Sequence, residues 1–442
     1  MDVPGGHWIA GLSLVEGPLP WLLLTGLVAG LALLLVGRRD GRWFRRSVPI
    51  ALAVTIVVLI AAQVALVVLK PWPDALPLSV PFWVGLGVLA ISLAVIGWRR
   101  QRWLWRGVAV LAVLLVVVGS ANQVNRVYGS FATVDAALQL APYDQGEAVD
   151  LSPDVGPPGP VVPATGQTLA QVWRPPADLP AHGEVTQVDI PGATSGFDAR
   201  PAWVYLPPAY LTQRPPLLPV WVLLSGQPGS PRDWLDGGAL AQQMDAFAAA
   251  HGGLAPVVVM PDALGSETGN SLCLDSRLGK AATYLSVDVP NWITSQLTVD
   301  TDHAHWLVGG LSFGGTCALQ MAVSHPDVYA QLLDASGQQE PTLGTRQLTV
   351  QRAFGGDDAA FTAVNPLDQL RTEQLPGSSA FIAVGTQDPV YQPQAATVRD
   401  ALTAAGARVT YQEFPGGHSW AVWGAALGAA LPWSAALTGL AS

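Results

Sequence analysis

Charge is scarce in this chain. Of its 442 residues only 12% are charged while 50% are hydrophobic, and the net charge is −10. That balance leaves no basic footprint for nucleic acid and falls well below the charged share of ordinary soluble domains. Lysine is almost missing, with Lys70 and Lys280 the only two among 22 basic residues. With abundant Ala, Gly, Val and Trp, this points to a GC-rich genome such as an actinobacterium's. Cysteine is as rare: two residues, Cys273 and Cys317, exclude a thiolate zinc cluster. The pair His303-Ala304-His305 enters a strand with no carboxylate-rich partner and reads as structural, so no metal or other cofactor is expected.

The missing charge is concentrated at the front. Four apolar runs, Leu19 to Gly37, Val48 to Leu69, Val80 to Gly97 and Leu104 to Ser120, contain no Lys, Arg, Asp or Glu other than Arg106 near the start of the last. Each approaches the ~20 residues that cross a bilayer core. A cleaved signal peptide is excluded for the first, because no basic residue precedes it and three more runs follow. The loop after the first run holds Arg38, Arg39, Arg42, Arg45 and Arg46, and that after the third holds Arg99, Arg100, Arg102 and Arg106. The other side has Lys70 and Arg126. Basic loops stay in the cytoplasm, so both termini are expected outside. With no ionisable side chain deep in a span, the bundle reads as an anchor in the lipid bilayer, not a pore.

From Ala141 to Pro180 the chain carries nine prolines and few large apolar residues, which predicts an extended spacer. The expected organisation is a four-helix transmembrane anchor over 1–128, a proline-rich linker over 129–182 and an extracytoplasmic domain over 183–442. That last domain alternates apolar strand runs (Leu218 to Leu224, Pro256 to Met260) with helical stretches (Ala239 to Ala250, Val287 to Leu297). Such alternation predicts a doubly wound, mostly parallel α/β sheet.

Inside it lies Gly310-Leu311-Ser312-Phe313-Gly314, a G-x-S-x-G pattern with a strand before it and a helix after it. A serine held on a sharp strand-to-helix turn needs small neighbours, and the helix aims its first N–H groups at the site. Ser312 is therefore the candidate nucleophile. A serine needs a base, and only His325 and His418 follow it. His325 closes the helix leaving the elbow, too far along it to reach back. His418, in a loop after the strand Arg408 to Phe414, is the candidate base. Asp388, just past the strand Ser379 to Val384, is the candidate acid, with Asp334 the runner-up; Asp357 and Asp358 read as solvated loop charges. The two oxyanion donors expected are the N–H groups of Phe313 and of Gln227, in the loop after Leu224.

These motifs together resemble the putative-esterase branch of the α/β-hydrolases. The carriers are Leu224-Ser225-Gly226, Gly310 to Gly315, His325-Pro326-Asp327-Val328-Tyr329, Gly385-Thr386-Gln387-Asp388 and Gly416-Gly417-His418-Ser419-Trp420. That branch includes esterase D (S-formylglutathione hydrolase), enterochelin esterases and secreted mycolyltransferases. The resemblance, over about Val185 to Trp433, implies an α/β-hydrolase fold and acyl transfer through a Ser-His-Asp triad. Many α/β-hydrolases carry His-Gly where this chain has Ser225-Gly226, and the multi-helix anchor is absent from the secreted mycolyltransferases.

Two further expectations complete the reading. Cys273 and Cys317 in an oxidising compartment pair as a disulfide beside the site. Trp292, Trp420 and Trp423 are candidates for an apolar substrate cleft. A site tethered to a membrane predicts a membrane lipid or acylated envelope substrate: an aminoacyl ester of phosphatidylglycerol, a mycolyl-type ester handled by an acyltransferase, or a general acyl ester. The competing class is a non-catalytic envelope scaffold on an inactive hydrolase fold.

Overall fold

The structure, a computed structural model, describes residues 11–36, 41–69, 76–98, 102–140, 151, 159–164 and 166–441. Arg38, Arg39, Arg99, Arg100 and Lys70 lie outside the described residues, as do residues 152–158 of the proline-rich stretch. The chain divides into two compact units, Met1–Leu140 and Ala141–Ser442.

The first unit is helical. Its long helices are α1 (Pro18–Val36), α2 (Val48–Leu69), α3 (Ser79–Gly97) and α4 (Trp103–Tyr128). All four are long and apolar enough to cross a membrane. Close approach of α1 and α4 is built on glycine: a Cβ at Gly30 would sit 2.6 Å from the Ala112 carbonyl oxygen, and one at Gly119 would sit 2.8 Å from that of Leu23. Small residues at a crossing let two helix backbones approach this closely. Many side chains of α2, such as Ile56, Val57 and Val68, stay exposed.

The second unit is built on one eight-stranded sheet. Its strands are β1 (Glu184–Val188), β2 (Ala202–Leu206), β3 (Val220–Leu224), β4 (Val257–Met260), β5 (Leu307–Leu311), β6 (Gln331–Ala335), β7 (Ser379–Gly385) and β8 (Arg408–Phe414). Their spatial order is β1-β2-β4-β3-β5-β6-β7-β8. Strand β2 runs antiparallel to its two neighbours, and every pair from β4 to β8 is parallel. The strands are continuous apolar runs because both faces are covered, and alternate residues feed two separate cores. Val204, Val222, Val259, Val308, Leu332 and Ile382 point into one. Tyr205, Trp221, Val258, Leu307, Leu333 and Phe381 point into the other.

Helices α6 (Val289–Gln296), α7 (Phe313–Ser324) and α8 (Gln392–Ala404) cover the first face. Helices α5 (Leu240–Ala250) and α9 (Trp420–Thr438) cover the second. Helix α9 is itself apolar and long enough to span a membrane. Its Val422, Trp423, Ala426, Leu427, Ala430 and Leu431 are instead buried in the sheet's second core, so its apolarity is that of a core helix.

The proline-rich stretch, expected as a spacer, belongs in its described part to the second unit. Leu169 and Trp173 are buried in the first core, the Trp173 indole N–H donates to the Gly252 carbonyl at 2.8 Å, and Val161 bridges to Pro216. Trp173 supplies apolar area that a proline count does not register, and Val161, Leu169 and Trp173 all pack within the second unit.

Candidate active site

Ser312 ends β5 and begins α7 with φ 51° and ψ −120°. This is a backbone conformation that non-glycine residues occupy only where the surroundings enforce it. The Ser312 N–H donates to the Ala335 carbonyl at 2.9 Å, pinning the turn to β6. Only glycines fit around it: a Cβ at Gly310 would lie 2.1 Å from the Gly314 backbone, and one at Gly314 would lie 2.2 Å from the Leu224 oxygen.

The other two groups arrive from neighbouring strand ends. The loop after β7 carries Asp388, and the loop after β8 carries His418. Backbone bonds hold the two loops together, from the Thr386 N–H to the Phe414 oxygen at 2.8 Å and from the Gln387 N–H to the Gly416 oxygen at 2.7 Å. The result is one continuous line of contacts. His418 Nε2 lies 2.9 Å from Ser312 Oγ, and His418 Nδ1 lies 2.9 Å from Asp388 Oδ2. The acid is buried, with 4% of its side chain exposed, while the histidine keeps 26%. The Tyr391 N–H donates to Asp388 Oδ1 at 3.3 Å, fixing the carboxylate.

An aromatic frame surrounds the imidazole. Tyr391 stacks on it with centroids 4.1 Å apart and planes at 22°. Trp423 meets it edge-on at 4.9 Å, and Trp420 packs edge-on against Trp423 at 5.5 Å. Sequence reasoning missed Tyr391; its position three residues past an acid candidate was the one available signal. Trp292 lies apart from that aromatic frame. It sits on α6 and packs against the first core, whereas Trp420 and Trp423 belong to the second. Burial of Val289 and Ile293, four residues apart, turns α6 so that Trp292 flanks that first core.

The expected oxyanion donors flank the serine. Phe313 is the first residue of α7, so its N–H has no intrahelical acceptor. A Cβ at Gly226 would lie 3.5 Å from that of Ser312, which brings the β3 loop carrying Gln227 beside the nucleophile. Among the described residues neither N–H donates to another group. Cys273 and Cys317 are joined in a disulfide.

Asp334 lies at the end of β6, fully buried, with Oδ1 accepting from the Gly337 N–H at 2.7 Å and Oδ2 without a partner. Burial pushes its carboxyl up to about 7. His325 caps the end of α7, and burial lowers its pKa. His305 lies 2.6 Å from Asp300, whose hydrogen bond raises the imidazole's pKa. Among the described residues no group of three or more His, Cys, Asp or Glu is placed to hold a metal ion.

The family described as "Putative esterase" matches residues 198–434, which span the sheet from before β2 to near the end of α9. The chain belongs to this esterase family. It is accordingly a carboxylic-ester hydrolase with an α/β-hydrolase domain behind N-terminal apolar helices. An uncharacterized protein of Corynebacterium glutamicum is 36% identical over 447 residues, covering 97% of this chain and 98% of that one. Its similarity therefore extends through the helical unit of the esterase as well as its sheet. Among solved structures, a ferulic acid esterase superposes with a TM-score of 0.50 at 20% identity, over 59% of this chain and 100% of its own. An S-formylglutathione hydrolase from Agrobacterium tumefaciens gives a TM-score of 0.50 at 17% identity, over 59% and 97%. At those identities the likeness is one of fold.

Proposed function

We propose that this esterase works through a Ser312–His418–Asp388 triad and an acyl-enzyme. The observation that carries the reading is the unbroken line from Ser312 Oγ through both imidazole nitrogens to Asp388, at 2.9 Å on each side. Ser312 Oγ attacks the ester carbonyl carbon while its proton passes to His418 Nε2. Asp388 accepts the Nδ1–H, holding the ring's tautomer and balancing the imidazolium. The carbonyl oxygen becomes an oxyanion facing the N–H groups of Gln227 and Phe313, and each such donor lowers the barrier by about 3 kcal/mol. The imidazolium returns its proton to the leaving alcohol as the ester C–O bond breaks. Water, or an acceptor alcohol, then attacks the acyl carbon as its proton passes to His418 Nε2, and the imidazolium returns that proton to Ser312 Oγ as the acyl–serine C–O bond breaks.

The helical unit supports a membrane setting. Four apolar helices with nine arginines in or beside alternate connections and two basic residues on the other side support a topology with the arginine-rich connections in the cytoplasm and the esterase unit outside. The substrate class we assign is an acyl ester of a cell-envelope lipid or acylated glycan, of which an aminoacyl ester of phosphatidylglycerol is one. The Corynebacterium relative, similar over both units, supports an actinobacterial setting. Two measurements test the reading. Ser312→Ala should abolish turnover of a p-nitrophenyl ester in a folded protein, and profiling of envelope lipids and acylated glycans in a deletion strain should show one class of acyl ester accumulating. Retained turnover refutes the nucleophile, and an unchanged profile of both refutes the substrate class.

A further inference from the structure

The loop that carries Gln227 has its side-chain and outward backbone bonds concentrated on one neighbouring segment, residues 262–273. The Gly229 N–H donates to the Glu267 oxygen at 2.9 Å. The Gln227 side chain is held at both ends: its Nε2 donates to the Thr268 oxygen at 3.0 Å, and its Oε1 accepts from Asn270 Nδ2 at 3.2 Å. Arg200 ties the same two segments, donating to the Gly229 oxygen at 3.0 Å and to Asp262 at 2.7 Å.

Asn270 is the hub. Its Nδ2 also donates to the Thr342 oxygen at 3.2 Å, and its Oδ1 accepts from the Leu272 N–H at 3.0 Å. Ser271 Oγ then donates to the Ala263 oxygen at 2.6 Å and accepts from the Cys273 N–H at 3.0 Å. Two consecutive non-glycine residues, Leu272 at φ 59° and Cys273 at φ 51°, hold the left-handed region. Such a pair persists only where its surroundings over-determine it. Cys273 is then bonded to Cys317, which lies on α7 one turn beyond Phe313. The two oxyanion donors, one on the β3 loop and one on the elbow helix, are thus connected by a single covalent and hydrogen-bonded path.

We propose that Asn270 and the Cys273–Cys317 disulfide act as one positioning device, which holds the Gln227 N–H in register with the Phe313 N–H. This rests on the triad reading above. Neither group touches the reacting atoms; both act through the geometry of the oxyanion site. Misplacement of a catalytic donor by a fraction of an ångström loses transition-state stabilisation while leaving ground-state binding intact.

The test uses the full chain in detergent, with a p-nitrophenyl ester as substrate and phenylboronic acid as a tetrahedral analogue. The variants are Asn270→Ala, the pair Cys273→Ser with Cys317→Ser, and all three together. Asn270→Ala should lower kcat about ten- to a hundredfold with KM and the pH profile unchanged. Boronate affinity should fall by the same factor as kcat/KM. The cysteine pair should do likewise, and the triple variant should be no worse than either, because members of one device are not additive. An Asn270→Ala protein that melts like wild type and keeps wild-type kcat overturns the proposal, and so do losses that multiply in the triple variant. If the cysteine pair fails to fold, Asn270→Ala with the bridge intact decides alone. Labelling of wild-type Ser312 by a fluorophosphonate is scored separately: a wild-type chain that neither labels nor turns over ester overturns the triad reading and this inference with it.

Discussion

Tyr391 lies flat on His418, with centroids 4.1 Å apart, and its own N–H holds the carboxylate that pairs with the same histidine. One residue thus orients the candidate acid with its backbone and the candidate base with its ring. Replacing the ring should loosen the imidazole without disturbing substrate binding. Tyr391→Leu is expected to lower kcat about tenfold with little change in KM, since an aromatic pair contributes up to about 1.5 kcal/mol beyond its area. Tyr391→Phe keeps the ring stack and should retain more kcat than Tyr391→Leu. Steady-state kinetics of the two variants checks this; equal losses would show that the stack is irrelevant.

Asp334 makes stability depend on pH. Its carboxyl is pushed up to about 7 by burial, above the ~3.9 of an unfolded aspartate. Between those values the folded chain holds a proton that the unfolded chain has lost. Stability is therefore full below about 4, falls as pH rises to about 7, and stays low above it, by about 4 kcal/mol in all. Asp334→Asn keeps an oxygen for the Gly337 N–H and cannot ionise. Its melting temperature should exceed wild type by several degrees at pH 8 and match it near pH 4, read by tryptophan fluorescence. A variant less stable than wild type at pH 8 would contradict this.

The elbow tolerates no side chain at Gly314, where a Cβ would meet the Leu224 carbonyl oxygen at 2.2 Å. Because the obstacle is backbone, Gly314→Ala should cost at least about 3 kcal/mol. A drop of about 10 °C in melting temperature, or loss of folded protein, is the expected readout. An unshifted melt would mean the strand and helix are packed more loosely than described.

Membrane orientation is open to a direct chemical check. Cysteines introduced singly at the exposed positions Gly41 and Phe131 should differ in reach. A membrane-impermeant maleimide applied to intact cells should label Phe131→Cys and leave Gly41→Cys untouched until the membrane is permeabilised. The opposite pattern would invert the assignment.

What was legible in the sequence follows from how local each feature is. The elbow is contiguous, so its glycines, strand and helix stand together in the text. His418 and Asp388 could be placed because each follows an apolar strand run, and in a parallel sheet the ends of such strands meet. The stack of Tyr391 on His418 was not legible, since it depends on the turn taken after Asp388. Trp292 illustrates a different limit: an apolar residue on a helix announces burial without saying which face of the sheet will bury it. Trp173 hid in a proline-rich stretch whose composition suggested only extension. The apolar run after Trp420 has the composition of a membrane span; what makes it a core helix is the sheet beneath it.

The most direct measurement is mass spectrometry of the detergent-solubilised chain after reaction with a fluorophosphonate. Ser312 lies 2.9 Å from the imidazole of His418, so the phosphonyl adduct should be found on the peptide containing Ser312. It should vanish in Ser312→Ala and form far more slowly in His418→Ala. A folded protein that hydrolyses esters while its adduct sits elsewhere, or that carries none, would contradict the triad.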